Sequence, residues 1–169
     1  MTTIRTAVLA TTLALGLAAA SAVRADADVK EIPLKDGTTL LIYKDGSVHV
    51  NHGGTEMGQG LHTKLLQIAA DGLGLPLEAV RIMPTRTDKV PNTSATAASS
   101  GSDLNGAAVR AACDTLRERL AEVAARRFRA HPAEIVFAAG QVFAVHAPAE
   151  FATFAEIVGT FCVGGESGC

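Results

Sequence analysis

Between Val50 and Leu61 the chain carries four glycines within eight residues, Gly53, Gly54, Gly58 and Gly60, in the run His52-Gly-Gly-Thr-Glu-Met-Gly-Gln-Gly60. That density lets the backbone approach a ligand closely or adopt positive φ. The flanking patterns define what it joins. Ser47-Val-His-Val-Asn51 alternates as a strand does, whereas Leu61, Leu65, Ile68, Ala69 and Leu73 recur at three and four. The segment therefore lies between a strand and a helix. The pattern predicts a helix from Gly58 to Gly72, ended by Gly72 and Gly74 and followed by Pro76.

The remaining pattern is mixed. Asp36-Gly37 and Asp45-Gly46 separate short β-rich runs, the signature of a meander of two or three strands. Residues 79–83 read as a short strand, and Ser and Thr dominate 93–102. Ser102 or Asp103 is expected to cap a long helix reaching about Phe128, with Ala108, Ala112, Leu116, Leu120 and Val123 on its buried stripe. Ile135–Ala138 and Gln141–His146, joined by Ala139-Gly140, predict a hairpin, and Thr153-Phe-Ala-Glu156 is a capping box for a last short helix. Hairpins and helices without a βαβ rhythm argue an α+β fold, short hairpins packed with two main helices.

Composition narrows the function classes. Fifteen basic against 17 acidic side chains leave a net charge of -2, which excludes a protein built on non-specific nucleic-acid affinity, so no nucleic-acid partner is expected. Of 169 residues 31 are alanine, so the core is made of small side chains. Three scattered cysteines, Cys113, Cys162 and Cys169, exclude a disulfide scaffold or CxxC zinc ribbon, and Cys113, one position from the helix stripe, reads as a small core or interface residue.

Three segments carry chemically pointed residues. In the glycine run these are Glu56 and Gln59. A carboxamide at a helix start can both donate and accept, and the amides there favour anionic or electron-rich ligands. The alternative is an ordinary strand-to-helix turn; the spacing matches neither GxGxxG nor a P-loop, which needs a lysine. The 93–102 run combines hydroxyls with a helix N-terminus, either a phosphate cradle or a plain Ser/Ala loop. His49, His52, Glu56 and His62 could form a metal site only through the glycine turn, so surface or internally satisfied histidines are the favoured reading, and no metal ligand or catalytic residue is assigned.

His52 to Gly60, the following Leu61-His-Thr-Lys-Leu-Leu-Gln-Ile-Ala69, and Lys89-Val-Pro-Asn-Thr-Ser-Ala-Thr-Ala-Ala-Ser-Ser-Gly-Ser-Asp103 resemble the molybdenum-binding subunit of the xanthine dehydrogenase and aldehyde oxidase family, the molybdenum hydroxylases. The similarity runs from about residue 40 to 158. It implies a partial molybdopterin-binding domain in which Met57, Gly58 and Gln59, and Ala97, Ala98, Ser99 and Ser100, contact the cofactor. It also implies oxidation of purines and related heterocycles at carbon with a glutamate as base. The implied partners are the rest of the molybdenum subunit and an iron-sulfur and FAD-bearing portion that takes the electrons.

The departures from the family are specific. Its base lies in a glycine-glutamate-proline-proline type motif, whereas Glu166 here is followed by Ser167, so no catalytic role is transferred. The glycine-phenylalanine-rich motif, the pocket arginine and the substrate-sandwiching phenylalanines are not in this sequence, and no cysteine cluster could hold iron-sulfur centres. The implied whole is a fragment inactive alone.

At the other end, Arg5, the apolar run Thr6 to Ala20 and Val23-Arg24-Ala25 read as an export signal, too short for a membrane span of about 20 residues. Asp28-Val-Lys-Glu-Ile-Pro-Leu-Lys-Asp-Gly37 is weakly similar to a periplasmic copper-resistance protein of the CopK type. The expected organisation is a signal peptide over 1–25, a β-rich segment over 26–46, a partial molybdopterin-binding domain over 47–158 and an unstructured tail over 159–169. The signal implies export to the periplasm, whereas the enzyme family is cytoplasmic. An exported, non-enzymatic metal-binding or stress protein, or a chimeric gene product, is the alternative reading.

Overall fold

The structure, a computed structural model, describes residues 29–33, 39–84, 95–97 and 99–163. The expected signal peptide, the Asp36-Gly37 turn and the stretch from Gly164 onward lie outside these residues. Two antiparallel-rich sheets and three helices give an α+β architecture. The first sheet has the order β1 (Val29–Pro33), β2 (Thr39–Tyr43), β3 (Val48–Asn51) and β4 (Val80–Ile82). The second has β5 (Ile135–Ala138), β6 (Gln141–Ala144) and β7 (Phe151–Thr153), again in sequence order.

Alternation sets the inner face of the first sheet. Leu40 pairs with Val50 and Ile42 with Val48, and all four are fully buried, while Leu41, Tyr43 and His49 turn to the other side and stay half-exposed. The turn between these strands follows its Asp-Gly signal. Gly46 takes φ +82°, and the Asp45 carboxylate accepts from Ser47 N–H at 2.9 Å and Ser47 Oγ at 2.6 Å. A Cβ on Gly46 would stand 3.1 Å from Ala155 Cβ, so this turn abuts the C-terminal helix. The expected boundary between residues 46 and 47 is accordingly not a boundary: β2 and β3 share one ladder and one core.

After β3 the chain enters α1 (Leu61–Leu73) and returns through a 3-10 turn at Leu77–Ala79 to β4, which lies parallel to β3. The fold thus contains one βαβ crossover where none was expected. The helix ends at Gly74 alone, at φ +66°. Gly72 does not end it. It is an interior residue whose missing side chain lets Cys113 approach, since a Cβ there would meet Cys113 Cβ at 2.8 Å.

The organising element is α2 (Ser100–Phe128), 29 residues, about 43 Å at 1.5 Å per residue. It is long enough to run past both sheets. Val109, Ala112, Cys113, Leu116, Leu120 and Val123 are buried along it. It starts earlier than expected, with Ser99 rather than Ser102 or Asp103 at the N-cap, because a serine-rich run offers several equivalent starts.

The β5–β6 hairpin turns through Ala139 (φ 50°) and Gly140 (φ 77°), and Gly140 N–H donates to Gly74 O at 2.8 Å, tying the second sheet to the end of α1. The capping box forms as read: Thr153 N–H donates to Glu156 Oε2 at 2.9 Å, and Glu156 N–H to Thr153 Oγ1 at 3.2 Å. It opens α3 (Phe154–Val163), which runs past residue 158 and buries Phe161. Residues 159–163 are therefore helix and not the start of an unstructured tail.

Candidate functional site

The N-termini of α1 and α2 lie side by side, and glycines make that approach possible. A Cβ on Gly54 would fall 2.6 Å from Leu61 Cδ2 and 3.2 Å from Asn105 Nδ2. On Gly101, the second residue of α2, a Cβ would fall 3.1 Å from Thr96 Cγ2 and 3.7 Å from Leu61 Cδ2. Leu61, fully buried, is thus the shared floor under both helix starts. A hydrogen bond stitches the two segments across 41 residues of sequence: Thr55 N–H donates to Thr96 Oγ1 at 2.9 Å.

The glycine run folds back on itself before α1 begins. Gln59 accepts from Met57 N–H through Oε1 at 2.6 Å and donates from Nε2 to Thr55 O at 2.8 Å. Each group keeps further capacity, a second lone pair on Oε1 and a second hydrogen on Nε2. Glu56 caps the helix. Its Oε1 accepts from Gly58 N–H at 2.8 Å and Gly60 N–H at 3.1 Å, and Oε2 accepts from His62 N–H at 2.9 Å. Those amides, His62 first and then Gly58 and Gly60, hold the Glu56 carboxyl below its ordinary range. Gly60 at the N-cap and Gly58 take φ +75° and +96°, and a Cβ on either meets nothing within 4 Å. Glycine is needed there for the backbone conformation rather than for close contact.

The expected contact residues divide cleanly. Met57, at 67 % exposure, Gly58 and Gln59 are at the surface of the first turn. On the second segment Ala97 and Ser99 are exposed, and Ser99 is the N-cap of α2 with no side-chain capping bond. Ser100 opens the helix, and Ala98 lies outside the described residues. The structure brings the two segments together, and it adds Thr55, Thr96 and Glu56, which the sequence reading had not assigned a role. Glu56 was visible there as a polar side chain among glycines; its partners were not.

The histidines separate. His49 lies against Tyr43 with the rings tilted by 57° and centroids 4.7 Å apart, on the sheet face away from the core. His52 is fully buried beneath the glycine turn, with its ring 5.2 Å from that of His62. Burial, with the neighbouring His62 second, lowers its pKa to about 4, so it is neutral near pH 7. Its Nδ1 accepts Gly54 N–H at 3.1 Å, which places the hydrogen of the neutral ring on Nε2. A ring so held offers no lone pair at Nε2 to a metal, and among the described residues no group of three or more His, Cys, Asp or Glu gathers. Cys113 is fully buried, and burial pushes its thiol up to about 12, the state of an inert packing residue.

Residues 5–167 match the family model of the molybdopterin cofactor-binding domain, a match that begins inside the stretch read as an export signal. The chain is similar to xanthine dehydrogenase of Calliphora vicina, 60% identical over 87 residues, which cover 52% of this chain and 6% of that protein. It is also similar to xanthine dehydrogenase of Oryza sativa subsp. japonica, 51% identical over 102 residues, covering 60% of this chain and 8% of that one. Among solved structures, quinoline 2-oxidoreductase from Pseudomonas putida 86 superposes with a TM-score of 0.67 at 33% identity, over 73% of this chain and 16% of that chain. The chain therefore spans less than a tenth of the curated relatives it matches. It belongs to the molybdopterin cofactor-binding domain family, of which it carries a portion.

Proposed function

We propose that this chain supplies two cofactor-contacting segments of a molybdenum hydroxylase of the xanthine dehydrogenase type, and that it does not turn over a heterocyclic substrate by itself. The Thr55–Thr96 hydrogen bond carries this reading, because it joins the two motif segments that lie far apart in sequence. The residues present fit a flat, polar, phosphate-bearing pterin. The surface over Gly58 and Gly60 is open, Gln59 retains one donor and one acceptor position, and Ser99 is exposed with its hydroxyl uncommitted to the helix. When bound, molybdopterin supplies the redox chemistry.

The chain's own residues bind and orient. Gln59 and the neighbouring backbone would hold one side of the group. The start of α2 at Ser99 and Ser100 would hold the phosphate, where helix amides favour negative charge. A purine or related heterocycle is the substrate class of the whole enzyme. The remainder of the molybdenum subunit would bring substrate pocket and base, and an iron-sulfur and FAD portion would take the electrons. Export to the periplasm, should residues 1–25 act as a signal, is a separate proposal, since the enzyme family this chain resembles is cytoplasmic. Among the described residues no helix is long and apolar enough to cross a membrane.

Native mass spectrometry of the full chain, purified from cells that make molybdopterin, tests the reading. A population carrying pterin and molybdenum is expected, with no xanthine oxidation above background using an artificial acceptor. A chain free of pterin, or one that turns over xanthine, contradicts it.

A further inference from the structure

The start of α1 looks open to an anion from its sequence, yet the chain closes it with its own side chain. Glu56 is half-buried and accepts from three backbone N–H groups, Gly58, Gly60 and His62, at 2.8, 3.1 and 2.9 Å. Gly60 is the N-cap and His62 the second residue of the helix, so these are amides that an external phosphate would otherwise engage. No Ser, Thr, Asp or Asn stands at the cap, and Gly60 has no side chain to serve there. Two of the three donors come from residues at positive φ, whose amides the turn directs at one point.

We propose that Glu56 is the positioning residue of the glycine loop: it seals the α1 N-terminus against external anions and fixes the turn that presents Met57, Gly58 and Gln59. What the turn presents them to rests on the cofactor reading above; the sealing does not. Glu56 is correspondingly unsuited to act as a base, since three hydrogen bonds stabilise its ionised form. With Glu56 in place, the anionic part of a ligand is turned away from α1 and toward the other segment.

The test uses the full chain, 15N-labelled, as wild type and as Glu56→Ala and Glu56→Gln. In the wild type the amide signals of Gly58, Gly60 and His62 should titrate together, with one midpoint below the ordinary carboxylate value, and should not respond to millimolar inorganic phosphate. In Glu56→Ala that shared titration should vanish, exchange at these amides should rise about tenfold or more, and phosphate or acetate should now shift them. A purely structural role would not create an anion response. Glu56→Gln keeps the shape of the side chain but turns an NH2 toward one of the donors. It should lose protection at that amide while the signals of Leu116 and Leu120 stay in place, which gives the readout even if the alanine variant fails to fold.

Wild-type amides that bind phosphate, or variants whose amides keep their shifts and protection, overturn the proposal. Added molybdopterin separates the two readings. Weaker binding by Glu56→Gln than by wild type supports the positioning role, and equal binding overturns it. A wild-type chain that takes up none contradicts the cofactor reading and leaves the phosphate and exchange results to decide the role of Glu56.

Discussion

The helix N-termini that meet at Leu61 begin from similar local chemistry, glycine on one side and serine and glycine on the other, and end differently. At α1 two of the orphan amides, those of Gly60 and His62, are taken by Glu56, a residue of the preceding loop. At α2 the N-cap Ser99 makes no side-chain capping bond. One end is capped by a loop carboxylate, and the N-cap of the other has no side-chain capping bond among the described residues. A small-residue turn before a helix therefore does not by itself define an anion site; what decides is whether a nearby carboxylate has already reached the amides.

The largest expected effect lies in the core along α2 and not at either helix start. Leu116, fully buried at the middle of α2, should cost roughly 2 to 5 kcal/mol of stability on change to Ala, through loss of contacts and the cavity left behind. Thermal unfolding would measure it. Backbone amide exchange should then rise at both helix starts alike, and a rise confined to one of them would show that the two are not buttressed together.

Acid should separate them. His52 lies under the α1 turn and binds its proton at a pKa of about 4 when folded, against 6.5 when unfolded. Between these values the unfolded chain takes up the proton and the folded chain does not. Its contribution is therefore complete above pH 6.5 and is lost as pH falls toward 4, on the order of 3 kcal/mol in all. Denaturant unfolding across this range should show the slope, and His52→Gln, whose side-chain oxygen can still accept Gly54 N–H, should flatten it. An unchanged slope in that variant would assign the pH dependence to other groups.

The smallest effect belongs to α2. An N-cap serine typically contributes about 1 kcal/mol through its capping bond, but Ser99 makes none, so Ser99→Ala should change stability by no more than about 0.5 kcal/mol. A melting temperature lowered as far as for a lost cap would mean that Ser99 finishes its helix after all, and the contrast between the two ends would disappear.

Much of the fold was legible because its signals are local. The Asp45-Gly46 turn, the Leu61 to Leu73 stripe and the Thr153–Glu156 capping box each lie within a few residues, and each formed as its pattern implies. The misreadings came from relations that are not local. Gly72 resembles a helix stop until Cys113, 41 residues later, requires its missing side chain. The parallel pairing of β3 with β4 depends on where α1 lies and not on either strand's residues. Ser99 could not be picked from among neighbouring serines as the cap, since cap preference ranks residue types and not identical neighbours.

The same division runs through the site. Met57, Gly58, Gln59 and Ser99 were marked by the motifs, and the structure places them at the surface of adjoining segments. Glu56 was noticed and its role missed, because capping rules look to the N-cap residue and this carboxylate reaches back from four positions before it. The bond from Thr55 to Thr96 has no sequence signal at all.

The central claim is that the glycine turn faces molybdopterin rather than serving only to connect a strand to a helix. The most direct measurement is molybdopterin affinity of the full chain, wild type against Gln59→Ala, with thermal unfolding of both recorded in parallel. Gln59→Ala should weaken binding about ten- to a hundredfold, from a hydrogen bond of roughly 1 to 3 kcal/mol that the bound cofactor would cover, at a nearly unchanged melting temperature. Equal affinity together with a lowered melting temperature would contradict it, and would make Gln59 and its glycines a structural turn.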